Sequence, residues 1–228
     1  MVGTSQELIL AVAVFVGGHF FLSSLVVREP VIKALGQNGF RLLYSMAALA
    51  SLAWTILAYR AAPAVPLWDP GLRHMPLLIM PIATILLAAG NSTANVTSVA
   101  GERHADGPRP VGGIVTVTRH PVLWGIGLWA IAHLLANGDE ASVTLFGGMA
   151  LLAFGGMAHI DHRRRATLGG AWGPIALTTS VIPFAAALQG RTKIDWAGIG
   201  VWRPLAGLAL YGVLILLHGW AGVPVWPG

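Results

Sequence analysis

Thr118-Arg-His-Pro-Val-Leu-Trp-Gly-Ile-Gly-Leu-Trp-Ala-Ile-Ala-His-Leu-Leu-Ala-Asn-Gly-Asp139 is an apolar run that opens on an Arg-His-Pro triplet and closes on Asn-Gly-Asp. Proline suits the first turn of a helix, where the N–H it lacks would find no partner in any case. The run carries a second histidine, His133, far from its start. Hydrocarbon holds no water to satisfy an imidazole, so a ring at that depth bonds a neighbouring helix, lines a cavity or binds a metal.

Five further runs resemble this one: Leu8–Val27, Phe40–Tyr59, Leu77–Ala89, Val143–Ala158 and Leu205–Leu217. With Pro121–Leu135 they make six candidate spans, judged against the roughly 20 residues a bilayer requires. Of the 228 residues 55% are hydrophobic and only 10% charged, and the mean hydropathy is +0.70. That balance excludes an ordinary soluble domain. The expected fold is an all-α polytopic membrane helix bundle, with residues 1–228 forming one domain.

Six spans divide the 14 basic residues sharply. Arg28, Lys33, Arg41, Arg103, Arg109, Arg119, Arg163, Arg164, Arg165, Arg191, Lys193 and Arg203 share one side, leaving Arg60 and Arg73 on the other. The positive-inside rule then places both termini of a multi-pass protein outside the cytoplasm. Topology accounts for the net charge of +5 and pI near 10.4. The basic loops lack the interleaved aromatics on which nucleic-acid bases stack, so no nucleic-acid partner is expected. Without cysteine there is no disulfide, thiolate ligand or cysteine nucleophile, and redox chemistry needs a bound cofactor. Glu7 and the absence of a basic start suggest an uncleaved first helix rather than a signal peptide.

Two cytoplasmic connections are long, Gly90–His120 and His159–Pro204. The second contains the apolar piece Pro174–Leu188, which is short for a span and interrupted by Pro183, and so reads as interfacial or re-entrant.

His19 in the first span lies about 12 Å from its expected cytoplasmic end at Val27, and His133 about 18 Å from its own at Pro121. Side chains bridge the difference of about 6 Å, so the two rings can meet, or can take both faces of one haem iron. Trp129 at i−4, Ala130 at i−3 and Gly125 at i−8 give the His133 face one large ring and two small residues, which shape a pocket or simply pack helices. Asn137 lies one turn beyond His133, where it would steady the ring. His218, next to the outer surface in the last span, is a weaker ligand candidate. His120 and Arg119 stand at the membrane surface, facing phosphates or an anionic ligand, or serving as anchors. Asp161 lies beside Arg163, Arg164 and Arg165, a cluster able to orient a propionate or phosphate, or to carry only topological charge.

At Gly18-His19-Phe20, Thr118-Arg-His-Pro121, Leu128–Asp139, Asp161-His-Arg-Arg164 and Thr179-Ser-Val-Ile-Pro-Phe184 the chain resembles the NnrU family of membrane proteins, and more distantly the zeta-carotene isomerases. The isomerase resemblance implies haem b held by axial histidines at His19 and His133. The cysteine that serves as alternative ligand in the isomerase stands at Ala130 here, and alanine cannot bind iron. The NnrU resemblance implies a link to expression or maturation of nitrite and nitric oxide reductases, with those enzymes or their assembly factors as partners. The Arg-His-Pro start also looks like that of membrane methyltransferases acting on isoprenylcysteine or phospholipid. Those carry an acidic pair where this chain has only Asp161. Two functions are thus expected to compete: a haem-binding protein of redox sensing or denitrification, and an enzyme acting on a lipid-soluble substrate, foremost a haem-dependent isomerase of a polyene.

Overall fold

The computed structural model describes residues 3–69, 71–98, 101–105, 111–223 and 225, without the side chains of Glu102 and Arg103. Arg109 and the Arg103 side chain, both counted above as cytoplasmic charges, lie outside this description. The chain folds as an all-helical bundle whose long apolar helices are those of a membrane protein. In order come α1 (Ser5–Ser23), α2 (Leu25–Ala61), α3 (Met75–Ser92), α4 (Pro121–Ala136), α5 (Glu140–Leu168), the short α6 (Trp172–Thr178), α7 (Ala185–Leu188) and α8 (Trp196–Ile199), and α9 (Trp202–Trp220).

Local chemistry sets the helix ends. The Thr4 hydroxyl accepts the Glu7 N–H at the start of α1, and the Asp139 carboxylate accepts the Ser142 N–H at the start of α5. Each occupies a donor that a helix start leaves unpaired. Extended backbone at Ser24 ends α1 four residues before the expected Val27. A second break falls at Gly36, whose φ of 73° and ψ of 170° are open to glycine and strained for other residues. Residues 25–35 therefore form a separate charged stretch with Arg28, Glu29 and Lys33, and the spanning part of α2 is residues 37–61.

The helices pack as a series of neighbours: α9 on α3, α3 on α4, α4 on α5, α5 on α1 and α1 on α2. Small residues set the approach. A Cβ on Gly125 of α4 would stand 2.7 Å from Leu87 Cγ and 2.8 Å from the Ala83 carbonyl of α3. On α9, a Cβ on Gly207 would fall 2.5 Å from the Ile85 Cα. In lipid no hydrophobic force pulls helices together, so such close backbone contact supplies much of the attraction. Leu43, Leu49, Leu57, Leu78, Leu151, Leu205 and Leu216 point outward, as they should against acyl chains.

The basic helix ends meet on one side, where Arg163 reaches the Ser23 carbonyl, Arg203 the Ser92 carbonyl and Arg119 the Asp161 carboxylate. At the opposite side Leu67 and Glu140 exchange backbone bonds with Gly138 and Val65. The 29-residue α5 runs about 44 Å, well past a hydrocarbon core of about 30 Å. Its last turns, His159 to Arg165, overhang on the basic side.

The 174–188 segment does not form one helix long enough to span. It is split into α6 and α7, with Trp172, Ile175 and Ala186 turned inward and Leu177, Ile182 and Leu188 outward. Phe184 between them takes φ 64°, its N–H donating to the Val117 carbonyl. Replacing Gly125 with valine should drive the side chain into Leu87 and lower bundle stability by about 1–3 kcal/mol. Thermal denaturation in detergent measures this, and an unchanged midpoint would show that α3 and α4 are not held this closely.

Candidate functional site

At the start of α4 the two basic groups expected to face an anionic ligand, Arg119 and His120, are both joined to Asp161. Asp161, on the overhanging turn of α5, accepts Arg119 Nε–H at 2.9 Å on one carboxylate oxygen and His120 Nε2–H at 2.8 Å on the other. The Arg119 Nη1 donates to the Thr179 hydroxyl at 3.1 Å, and its guanidinium lies 5.7 Å from the Trp172 ring centre. The Arg119 carbonyl accepts from Asn95 and Thr97, and the Arg119 N–H donates to Ser180. His120 is 2% exposed, and its Nδ1 has no partner. The motifs Thr118-Arg-His-Pro121, Asp161 and Thr179–Phe184 thus form one knot closing the basic end of the bundle. Arg163 and Arg164 are turned to the carbonyls of Ser23 and Ser98, and Arg164 is buried.

A cavity of about 400 Å³ opens at the other end, between α3, α4 and α9. Arg73, Pro76, Leu77 and Met80 line it from the α3 side, His133, Ala136 and Asn137 from α4, and Tyr211, Leu214, Ile215 and His218 from α9. Both the first and the last set follow i, i+3, i+4, i+7, one face of a helix. His133 and His218 occupy the last turns of their helices, with ring centroids 6.1 Å apart. Phe146 of α5 lies 4.9 Å from the His133 ring.

Three helix-internal histidines share one device. Nδ1 lies 2.7 Å from the Phe15 carbonyl in His19, 2.8 Å from the Trp129 carbonyl in His133 and 2.8 Å from the Leu214 carbonyl in His218, each one turn back. A carbonyl only accepts, so Nδ1 carries the proton, and in the neutral ring Nε2 is left with a lone pair.

His19 and His133 do not come together. His19 lines a separate cavity of about 90 Å³ between α1 and α2, with Tyr44, Ser51 and Gly18. Because α1 stops at Ser23, His19 is about 6 Å from the C-terminal end of its helix, whereas His133 is about 18 Å from the start of α4. In addition α5 packs on both α1 and α4, taking Phe20 of α1 against Gly155 and meeting Gly127 of α4 with Phe154.

Other expected neighbours of a cofactor also have different places. Gly125 is closed by α3, and Ala130 is fully buried. Trp129 packs edge-on to Phe146, 5.4 Å from the His133 ring. Asn137 lines the cavity, but its amide donates to the His133 carbonyl at 2.8 Å, holding the helix end rather than the ring. Arg119, His120, Asp161, Arg163 and Arg164 belong to the opposite end, Arg119 and His133 being separated by about 21 Å of chain rise. Arg73 and Tyr211 lacked any motif. The repeat of positions 73, 76, 77, 80 and 211, 214, 215, 218 was the available signal.

Removing the carboxylate by Asp161→Ala leaves two buried cationic or polar partners uncompensated and should cost about 3–5 kcal/mol. Asp69→Ala, which breaks the exposed pair with Arg73, should leave the melting midpoint where it is. Equal effects of the two changes would show that the knot carries no special load.

The description NnrU protein matches residues 7–225. The chain is 28% identical to a chloroplastic 15-cis-zeta-carotene isomerase of Zea mays over 204 residues, covering 85% of this chain and 54% of that protein. It is likewise 28% identical to the enzyme of that name in Arabidopsis thaliana over 193 residues, 81% of this chain and 51% of the relative. The chain thus spans about half the length of these curated relatives. No solved structure matches it. With the match running through every helix from α1 to α9, the chain belongs to the NnrU protein family.

Proposed function

We propose that this chain is an integral membrane haem b-binding protein of the bacterial inner membrane, with both termini in the periplasm. Its role is redox sensing or the expression or maturation of nitrite and nitric oxide reductases, and those enzymes or their assembly factors are its partners. The observation that supports the haem reading is the cavity between α3, α4 and α9. Its volume of about 400 Å³ falls in the range of about 300–1,000 Å³ usual for cofactor sites. The walls suit a flat apolar ligand: Leu77, Met80, Leu214 and Ile215 supply hydrocarbon, and His133 offers a nitrogen with a lone pair. Arg73, half-exposed at the edge, can meet an acidic substituent. When bound, haem supplies a one-electron couple whose potential follows its axial ligands and the polarity around it. The protein's own part is to fix the His133 tautomer, exclude water with apolar walls and hold the end of α4 through Asn137.

A second reading, isomerisation of a lipid-soluble polyene, draws on the similarity to the zeta-carotene isomerases. The absence of a donor at Ala130, which is also fully buried, weighs against a mechanism that exchanges ligands there. Purified protein from cells grown with ample haem should show a Soret band. A colourless preparation that stays colourless on haem titration would end the haem reading, and turnover of a cis-polyene would then favour the second.

A further inference from the structure

We propose that the segment 180–202, which holds α7 and α8, inserts its outward apolar side chains among the acyl chains of the leaflet on the basic side of the bundle. Its partner is the lipid surface, and it extends the bilayer-facing wall where α4 falls short. Nothing in this depends on what fills the α3–α4–α9 cavity.

The height of the segment is set by its bonds to the start of α4. The Arg119 N–H donates to the Ser180 carbonyl and the Phe184 N–H to the Val117 carbonyl, while the Thr118 hydroxyl and the Trp124 indole both donate to the Val181 carbonyl. Residue 181 is therefore level with the first turn of α4. The 16 residues of that helix rise about 24 Å, which leaves about 6 Å of a hydrocarbon core of about 30 Å without helix. The segment stands at this gap.

Irregular backbone is tolerated at such depth only where protein takes up its polar groups. Besides the bonds above, the Ser180 hydroxyl donates to the Ile182 carbonyl and accepts the Ala186 N–H, and Asp195 accepts the N–H groups of Gly113 and Gly198. Ala186 and Ile199 are buried and hold the segment inward. Its large apolar side chains are turned the other way: Leu188 is 86% exposed and Trp196 67%, and Ile182, Phe184, Val201 and Trp202 are exposed with them. Six such groups in one segment are a patch rather than scattered exceptions. The patch continues a surface whose outward leucines already face lipid, and indoles suit the border between hydrocarbon and headgroups.

Hydrocarbon, not a particular headgroup, is what this surface fits. Arg191 donates to the Leu177 and Thr179 carbonyls, and Arg203 to those of Gly198 and Ile199 while lying over the Trp202 ring. Those charges are taken up inside the protein, and the exposed Lys193 is too little to select an anionic lipid.

The chain has no cysteine, so a single one can be placed and spin-labelled in the full protein, reconstituted in phosphatidylcholine vesicles. Leu188→Cys and Trp196→Cys report on the segment, Leu151→Cys on the lipid face of α5, and His162→Cys on the overhanging turn; Ile182→Cys replaces either of the first two if its label lowers the melting midpoint. The ratio of collisions with dissolved oxygen to collisions with a water-soluble nickel chelate should be several-fold higher at residues 188 and 196 than at 162, and close to that at 151. Exchanging part of the phosphatidylcholine for phosphatidylglycerol should leave it unchanged. A ratio like that of residue 162 would put the segment in water and overturn the proposal. Labels immobilised and shielded from both reagents would show a second copy or another protein on the patch, and insertion that requires phosphatidylglycerol would show headgroup binding; either overturns it too.

Discussion

The Asp161 carboxylate, placed between Arg119 and His120, is the interaction on which the arrangement of the bundle depends. It joins the start of α4 to the overhanging end of α5, and through Arg119 it draws in Thr179 and the 176–181 strap. A buried ion pair contributes little net stability against a well-packed apolar replacement, because both partners are stripped of water. What it supplies is register. Each of its three members has few alternatives once desolvated, so the helices that carry them take one relative position. The α4 helix needs that constraint most, since its 16 residues rise about 24 Å, short of the hydrocarbon thickness of about 30 Å. It is positioned by polar clamps at both ends, the knot around Arg119 and the Asn137–Asp139 turn that bonds to residues 65–68.

Separation of the two polar regions follows from the same layout. Arg163, Arg164, Arg191 and Arg203 are taken up by backbone carbonyls and Arg119 by Asp161, while the cavity forms at the opposite end, where charges are few. A ligand in that cavity meets mostly hydrocarbon, two imidazoles and one guanidinium. Histidine is admitted to this setting because its Nδ1 proton finds a carbonyl one turn back in its own helix. The cost of burying the ring is met locally, and the second nitrogen stays available for a ligand.

That local satisfaction also explains which part of the site could not be read from residue order. Depth along a span depends on where the span ends, and Ser24, unremarkable in sequence, stops α1 a turn early. The shift moves His19 toward the basic end of the bundle and dissolves its apparent match with His133. His218, the weaker ligand candidate for its place near the outer surface, becomes the neighbour of His133 because α9 returns against α3 and brings its last turn beside that of α4. The 174–188 segment was legible as too short and broken to span because Pro183 and its length are local properties. Its stitching to residues 117–124 was not, since those bonds join backbone groups far apart in the chain.

Residue order alone determined that the chain is helical, lies in a membrane, gathers its positive charge on one side and carries the motifs of its family. These follow from hydropathy, span length and short patterns, each of which acts within one helix or its flanking loop. Only the tertiary structure decided which histidines share a cavity, that Arg119 and His120 both bond to Asp161, and that Gly125 admits a helix instead of a ligand. Those outcomes are set by how helices distant in sequence rotate and stop against each other, and close packing at Gly125 and Gly207 fixes those rotations in a way no single segment encodes.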